Sequence, residues 1–290
     1  MIDAQSPLVD LHTHSNVSDG ELPPAEVVRL AARAGLAAVA LTDHDTVDGL
    51  EEALAAGAAH GIEVIPGCEL SVRDQGREMH LLGLWTRPDS AVLRQALIDF
   101  RAQRDARNRQ MVEKLRVMGI PIRYEDVLAL SRGTPGRPHM ARLLVDLRVV
   151  RSSDAAFRQY LGRHGRAYVA KQEPDLRQAV EALRAAGGTV ALAHPYLLGL
   201  SGRPMEDLLR HARQAGVEAL EAYYPEHSFA RTREYVEMAR RADMAVCGGS
   251  DFHGAVKPGI ALGTGRGRLR VPLAVLEDLK ARRRAQGQWV

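Results

Sequence analysis

Six of the chain's eleven histidines stand beside apolar runs, and three carboxylates accompany them. Imidazole nitrogens and carboxylate oxygens are ligands that suit zinc, manganese and iron. A single tetrahedral metal needs four ligands, so a set of this size can hold two or three metals and leave positions open for water and substrate. The pattern therefore predicts a multinuclear metal-dependent hydrolase. The candidate ligands are His12, His14, Asp19, His44, Glu69, His80, His194, Asp251 and His253.

The placement of these residues supports a shared site. His12 and His14 follow the run LVDL, and Asp251 and His253 follow MAVCGGS, so each pair is spaced to point to one side of a strand. In parallel α/β barrels the carboxyl ends of the strands form the active-site face. His80 opens its apolar run instead of following it, which predicts a strand that runs antiparallel or enters the site from the side.

Apolar runs alternate with Ala-rich helical stretches, which is typical of a parallel sheet or barrel. The runs lie at 8–11, 37–41, 62–66, 80–84, 189–193, 217–222 and 244–248. The alternation breaks between about 89 and 170, where the spacing predicts helices over 90–118, 124–131, 137–147 and 153–161. We expect an α/β domain over 1–89 and 171–290, with an inserted helical subdomain over 90–170.

The composition is that of an ordinary globular protein, with 46% apolar residues and 39 basic against 36 acidic residues. Two isolated cysteines, Cys68 and Cys247, do not make a disulfide framework, and we expect them to fill core volume. No apolar run reaches the roughly 20 residues that span a bilayer, and the N-terminus lacks the basic region of a signal peptide. We therefore expect a cytoplasmic protein with no membrane contact and no obligate protein partner.

The motifs LHTHSNVSDG, LTDHD, GCELS, EMHLLG, AHP and GSDFH resemble those of the polymerase and histidinol phosphatase (PHP) superfamily. The resemblance covers about 8–90 and 170–265. It implies a distorted (β/α)7 barrel around two or three divalent metals, with manganese expected and zinc or iron as alternatives. It assigns the first metal to His12, His14, Glu69 and Asp251. Glu69 would bridge to a second metal held also by His80 and His194, and a third, completing a trinuclear centre, would be held by Asp19, His44 and His253.

Three further segments, GRPHMARLLVD (136–146), AYVAKQEPDL (167–176) and EAYYPEHS (221–228), resemble a stand-alone branch of the superfamily. That branch contains 3′,5′-nucleoside bisphosphate phosphatases and 5′-to-3′ exonucleases that act on short RNA. The resemblance implies a helical insertion that covers the active site, with Arg137 and His139 facing the substrate phosphate and with His227 and Ser228 approaching from the barrel. Arg137, His139 and His227 are the catalytic candidates, because Arg neutralises phosphoryl oxygens and imidazole protonates a leaving group. Asp43 is expected behind the ligands, holding an imidazole in position.

The leading hypothesis is a metal-dependent phosphoesterase that hydrolyses a phosphomonoester of a nucleotide by metal-bound hydroxide. Its expected substrate is a nucleoside 3′,5′-bisphosphate such as pAp, or a short 5′-phosphorylated RNA. Three alternatives stay open: a phosphatase for another small phosphomonoester such as histidinol phosphate, a non-catalytic nucleic-acid-binding PHP accessory domain, and an amide hydrolase. For Arg137, a surface position at the start of a helix is the competing interpretation.

Overall fold

The computed structural model describes residues 7–130, 135–170 and 174–290. The chain folds into two compact units, one of Met1–Ala96 with Pro174–Val290 and one of Leu97–Glu173. The first unit contains the strands of the α/β alternation, and the second is helical. The position 171 at the predicted domain boundary and the position 131 at the predicted helix end lie outside the described residues.

Seven strands of the first unit form one mixed sheet in chain order. The first three strands are parallel, the fourth is antiparallel to both its neighbours, and the last three are parallel again. The antiparallel fourth strand is one of the two arrangements that the position of His80 predicted. The strands are β1 Val9–Thr13, β2 Ala38–Leu41, β3 Glu63–Asp74, β4 Arg77–Leu84, β5 Thr189–Leu192, β6 Ala219–Tyr223 and β7 Ala245–Gly248.

The chain that follows β7 hydrogen-bonds to the end of β1. The amide of Asp251 donates to the carbonyl of His12 over 2.8 Å, and the amide of His14 donates to the carbonyl of Phe252 over 2.9 Å. Thr13 and Phe252 also form a parallel bridge. These bonds link the two edges of the sheet, as the closure of a barrel requires. They also bring the two i, i+2 ligand pairs of the sequence side by side.

Helices in the first unit begin and end where the sequence carries helix signals. Helix α2, Leu50–His60, is followed by Gly61, whose φ of 67° is the left-handed conformation that glycine adopts without strain. Helix α7, Leu176–Ala185, is preceded by a capping box, in which the side chains of Asp175 and Gln178 each accept a hydrogen bond from the other's backbone amide. The α-helices are α1 Pro24–Arg33, α2 Leu50–His60, α3 Ala91–Val117, α4 Tyr124–Leu130, α5 Arg137–Asp146, α6 Ser153–Ala156, α7 Leu176–Ala185, α8 Arg203–Ala215, α9 Phe229–Arg241 and α10 Leu273–Ala285.

Each unit has its own apolar core. In the first unit, residues on the strands pack with α10, as Leu11, Leu82 and Leu276 show. In the second, Met111 and Leu115 of α3 pack with Leu144 of α5. Both cysteines are buried on strands of the first unit, as predicted. Among the described helices, none is both long and apolar enough to cross a membrane.

Arg283 of α10 is a buried cation at the amino end of β5. Its guanidinium donates to Thr189 Oγ1 over 2.7 Å, to the carbonyl of Gly187 over 2.9 Å and to the carbonyl of Trp289 over 2.8 Å. The same group lies 4.7 Å from the ring centroid of Trp85. Burial lowers the pKa of Arg283 to about 10, so the group stays charged at neutral pH. The residue therefore ties the C-terminal segment to the base of the sheet.

Replacing Arg283 with lysine should lower the free energy of unfolding by about 2–4 kcal/mol, because a lysine cannot keep the forked hydrogen bonds and the ring stacking together. Urea denaturation measures the difference. Arg282→Lys is the matched control, since Arg282 is exposed and pairs with Asp278 at 2.9 Å. The control should change stability by less than about 0.5 kcal/mol. Equal urea midpoints for the two variants would show that the buried guanidinium of Arg283 stabilises the fold no more than an exposed one does.

Candidate metal centre

All nine predicted ligands lie in the first unit, on strands or in the segments that follow them. Most follow the carboxyl end of a parallel strand. Glu69 lies on β3 where this strand extends past β2, and a bridge to His44 continues the pairing there. His80 lies on the amino half of β4, opposite Ser71 of β3. Because β4 runs antiparallel, its amino half faces the same edge of the sheet as the carboxyl ends of its neighbours.

Glu69 is the centre of the cluster, and its carboxylate is 1% exposed. One oxygen, Oε1, faces two imidazoles, while the other, Oε2, faces three. The distances are 2.8 Å to His80 Nδ1 and 2.9 Å to His194 Nε2 from Oε1, and 3.2 Å to His12 Nε2, 3.1 Å to His14 Nε2 and 3.3 Å to His44 Nδ1 from Oε2. Each oxygen therefore serves a different group of imidazoles, which is the arrangement of a carboxylate that can bridge two cations.

Asp251 presents its two oxygens to different kinds of neighbour. Oδ1 lies 3.4 Å from His14 Nε2 and 3.3 Å from His253 Nδ1. Oδ2 accepts hydrogen bonds from Tyr224 Oη over 2.8 Å and from Lys257 Nζ over 2.6 Å. Only Oδ1 is therefore directed at the imidazole cluster. Neither Tyr224 nor Lys257 is among the site residues predicted from the sequence.

The third carboxylate, Asp19, lies at the outer side of the cluster. Its Oδ1 is 3.2 Å from His253 Nε2 and 3.7 Å from His14 Nδ1, and its Oδ2 is 4.0 Å from His44 Nε2. The described residues thus form three overlapping groups of donor atoms that could each hold a metal ion. The groups are His14, Asp19, His44 and His253; His12, His14 and Asp251; and His44, Glu69 and His80.

The donor atoms of this cluster fit a bound cation. Within the described parts of the chain, Nδ1 of His14 and Nδ1 of His44 are buried and have no hydrogen-bond partner. Buried polar atoms are seldom left unsatisfied in native proteins, so unpartnered imidazole nitrogens beside buried carboxylates indicate a cation site. Nitrogen and oxygen donors without thiolate suit manganese, zinc or iron.

The backbone around the cluster is strained. His194 has a φ of 26° and Asp251 a φ of 54°, values that non-glycine residues rarely adopt. Gly249 lies just before Asp251, and a Cβ there would clash with the backbone nitrogen of His12. Strain of this kind persists where the surrounding structure holds a functional geometry in place.

The charges of the cluster control its proton affinity. Burial opposes ionisation of Glu69, yet the surrounding imidazoles hold the pKa of its carboxyl well below the usual range. Burial likewise works against protonation of His14, but hydrogen bonds to Asp251 and Glu69, with the charge of Asp19, raise its pKa to about 9. For His44, burial prevails and the pKa falls well below its ordinary value. Without a metal, the cluster therefore retains a proton on His14 at neutral pH.

Glu221 is a buried carboxylate behind the cluster that the sequence analysis missed. Its Oε1 accepts from His12 Nδ1 over 2.8 Å, and its Oε2 accepts from the amide of His194 over 2.6 Å. The first bond keeps the proton of His12 on Nδ1, so that Nε2 is turned toward Glu69. A carboxylate inside the apolar run VEALEA was the available signal, because a charge in a buried strand needs a partner.

Asp43 organises a loop in the structure. Its Oδ1 accepts from the amide of Ser15 over 2.7 Å and from Ser18 Oγ over 2.6 Å, and its Oδ2 accepts from Ser15 Oγ over 2.6 Å. These bonds order the segment after β1 that carries Asp19. The sequence predicted that Asp43 would hold an imidazole in position. In the structure Glu221 does this, because it accepts the hydrogen bond from His12 Nδ1.

His227 and Ser228 lie between β6 and α9. His227 Nδ1 donates to the carbonyl of Ala222 over 2.8 Å, and burial lowers the pKa of its imidazole. The ring is therefore neutral, with Nε2 as an acceptor, and this state does not suit the proton-donating role expected of it. Ser228 caps α9 by accepting from the amide of Arg231 over 3.2 Å.

Arg137 and His139 lie in the second unit, at the start of α5. The guanidinium of Arg137 stands 5.8 Å from the ring centroid of Phe157. His139 Nδ1 accepts from the amide of Gly136 over 3.2 Å. In its neutral form this imidazole therefore carries its proton on Nε2.

Comparison with known proteins identifies the family. The profile of the PHP domain matches residues 10–186. The chain belongs to the PHP family. The 5′-3′ exoribonuclease of Haemophilus influenzae is 35% identical to this PHP protein over 247 residues, which cover 84% of the chain and 89% of the relative. The 3′,5′-nucleoside bisphosphate phosphatase of Chromobacterium violaceum is also 35% identical over 247 residues, covering 84% and 87%.

Solved structures agree with the PHP assignment. An amidohydrolase from Chromobacterium violaceum, with bound sulfate and no metal, superposes with a TM-score of 0.81 at 34% identity, covering 94% of this chain and 96% of that one. A protein from Bifidobacterium adolescentis, described as a metal-dependent phosphoesterase, superposes with a TM-score of 0.80 at 29% identity, covering 97% and 98%. The α/β fold and the PHP resemblance are confirmed, and the chain is a metal-dependent phosphoesterase.

Replacing Glu221 with glutamine should weaken metal binding about 10- to 100-fold without unfolding the protein, because His12 loses the carboxylate that orients it. Metal retained against a competing chelator, measured by elemental analysis, tests this. Glu226→Gln is the matched control, since Glu226 lies outside the cluster and pairs with Arg266 at 3.4 Å. If both variants retained the same amount of metal, Glu221 would not contribute to metal binding.

The affinity for a divalent metal should rise with pH through about 9, because the cation must displace the proton of His14. Against the effect of burial, Glu221 and Glu69 also raise the pKa of His12 well above 6.5, so the metal must displace a proton there too. The folded pKa lies above the ordinary value of 6.5, so His14 stabilises the metal-free protein fully below 6.5 and loses that contribution as the pH rises through about 9. Calorimetric titration with manganese and urea denaturation of chelated protein measure the two effects. A metal affinity that is constant between pH 7 and 9 would contradict the expectation.

Proposed function

We propose that this chain hydrolyses a phosphomonoester of a nucleotide. A nucleoside 3′,5′-bisphosphate such as pAp is the first candidate substrate, and a short 5′-phosphorylated RNA is the second. The observation that carries the proposal is the convergence of imidazole and carboxylate donors on Glu69 in a PHP phosphoesterase. Relatives named for a nucleoside bisphosphate and for RNA, each 35% identical over most of the chain, support the substrate class.

We infer a centre of two or three divalent ions, with manganese as the first candidate and zinc or iron as alternatives. The three overlapping donor groups support that number. Bound ions would lower the pKa of water and neutralise charge on the phosphoryl oxygens. His12, His14, Glu69 and Asp251 would hold the first ion, Glu69, His80 and His194 the second, and Asp19, His44 and His253 the third.

Positively charged side chains and hydrogen-bond donors of the protein would bind the phosphate group of the substrate. Lys257 stands beside Asp251 and its side chain is 44% exposed, so it adds positive charge at an accessible edge of the cluster. From the insertion, Arg137 would bind phosphoryl oxygens, and His139 would stabilise the leaving-group oxygen by donating a hydrogen bond from its Nε2. His227, with an accepting Nε2, would receive a hydrogen bond from the substrate. The covering insertion and a cytoplasmic location stay predictions.

A phosphate-release assay with added manganese tests the substrate class directly. The panel contains pAp, 5′-AMP, a 5′-phosphorylated oligoribonucleotide and histidinol phosphate. We expect kcat/KM for pAp or the oligonucleotide to exceed that for histidinol phosphate by about 100-fold. Histidinol phosphate has no nucleoside, so the protein groups that bind the nucleoside would have no partner in its complex. A preference for histidinol phosphate would overturn the proposal.

Replacing His194 with alanine should lower kcat by about 1,000-fold or more, since the second ion would lose an imidazole ligand. Circular dichroism is expected to show an unchanged fold. His60→Ala is the control, because His60 is an exposed residue in the last turn of α2. Full activity of His194→Ala after metal repletion would exclude this imidazole as a ligand.

A further inference from the structure

A row of aromatic rings leads away from the cluster along the carboxyl ends of β5 and β6. The ring of His194 lies 5.7 Å from that of Tyr224, which lies 5.5 Å from that of His227. The His227 ring in turn stands 6.0 Å from Tyr196 and 4.9 Å from Tyr235. We call Tyr196, Tyr224, His227 and Tyr235 the aromatic row.

Two polar atoms of the aromatic row are buried without a described partner. Across residues 7–130, 135–170 and 174–290, neither His227 Nε2 nor the hydroxyl of Tyr235 has a hydrogen-bond partner. Tyr235 is only 1% exposed. Buried polar atoms of native proteins are normally satisfied, so this pair indicates a ligand or ordered water. His227 Nε2 is an acceptor, because Nδ1 already donates to the carbonyl of Ala222.

The outer ring of the row is accessible and close to the cluster. Tyr196 is 45% exposed and lies on the 3-10 helix Pro195–Leu198, directly after His194. Two residues of chain separate their Cα atoms by at most about 7 Å. The backbone of Tyr196 therefore lies close to the candidate ligand His194, and the exposed ring of Tyr196 stands 6.0 Å from the ring of His227, whose Nε2 is the buried acceptor.

We propose that the aromatic row is a nucleoside subsite, in which the base stacks on Tyr196 and a sugar hydroxyl or base amino group donates to His227 Nε2. The proposal rests on the proposed function and deepens it. Every base has a π face, so a stacking platform accepts all bases while favouring nucleotides over phosphoesters that have none. The row thus recognises the nucleoside half of the substrate, and the metal cluster acts on its phosphate.

The kinetic test compares pAp with ribose 5-phosphate, which has no base. Tyr196→Ala should raise KM for pAp by about 5- to 150-fold, the range that stacking on one aromatic ring supplies, and leave kcat nearly unchanged. KM for ribose 5-phosphate should stay at the wild-type value, and Tyr196→Phe should restore KM for pAp. Leu197→Ala is the matched control, because Leu197 is 60% exposed on the same helix. An equal change of KM for both substrates, or no change, would overturn the subsite.

Binding of adenosine, followed by NMR on the metal-loaded enzyme, separates this subsite from the proposed function. If the wild type binds adenosine, Tyr196→Ala loses it and pAp is not hydrolysed, the subsite stands and the proposed function fails. If pAp is hydrolysed but both proteins bind adenosine equally or not at all, the subsite is wrong and the function stands. His227→Phe, which keeps a ring and deletes the acceptor, should weaken adenosine binding about 10-fold.

Discussion

The buried carboxylate of Glu69 is the constraint on which the rest of the structure depends. A charge removed from water is costly unless polar partners surround it, and Glu69 meets five imidazole nitrogens within 3.3 Å. Those imidazoles come from β1 and β4 and from the segments after β1, β2 and β5. The two-residue connection between β3 and β4 makes this pair antiparallel, and the reversed direction of β4 brings His80 to the edge where its neighbours end.

Further carboxylates hold the segments that carry the cluster. Glu221 orients His12, Asp43 orders the loop that bears Asp19, and each is fully or almost fully buried. Asp10 accepts from the amide of Ser250 over 2.7 Å and from that of Gly263 over 2.7 Å, so it ties β1 to the chain after β7. These bonds stabilise the segments in which His194 and Asp251 adopt strained backbone conformations.

Under the proposed function, catalysis and substrate selection depend on different parts of this fold. The two relatives described above are named as an exoribonuclease and as a nucleoside bisphosphate phosphatase. A cluster of nitrogen and oxygen donors that holds divalent ions would act on the phosphate group that such substrates have in common. Under the proposed function, selection among such substrates depends on residues beside the cluster, and the aromatic row is the set that we propose for this role.

The strands and the nine candidate ligands could be predicted from the sequence, because they depend on local patterns. Apolar runs mark the strands, and the i, i+2 spacing of His12 with His14 holds on any strand. The position of His80 left two arrangements open for β4, an antiparallel strand or one that enters the site from the side, and the strand pairing decided between them.

Contacts between distant residues could not be predicted in the same way. Glu221 reaches His12 across 209 positions, and no local period links the two. The carbonyl of Ala222 decides which nitrogen of His227 carries the proton, and the bonds of Tyr224 and Lys257 decide which oxygen of Asp251 faces the cluster. The sequence alone determined which residues could bind metal, since ligand chemistry belongs to the side chain. Orientation, protonation and the layer of groups behind the ligands were decided only by the tertiary structure, since each depends on what lies within a few ångströms in space.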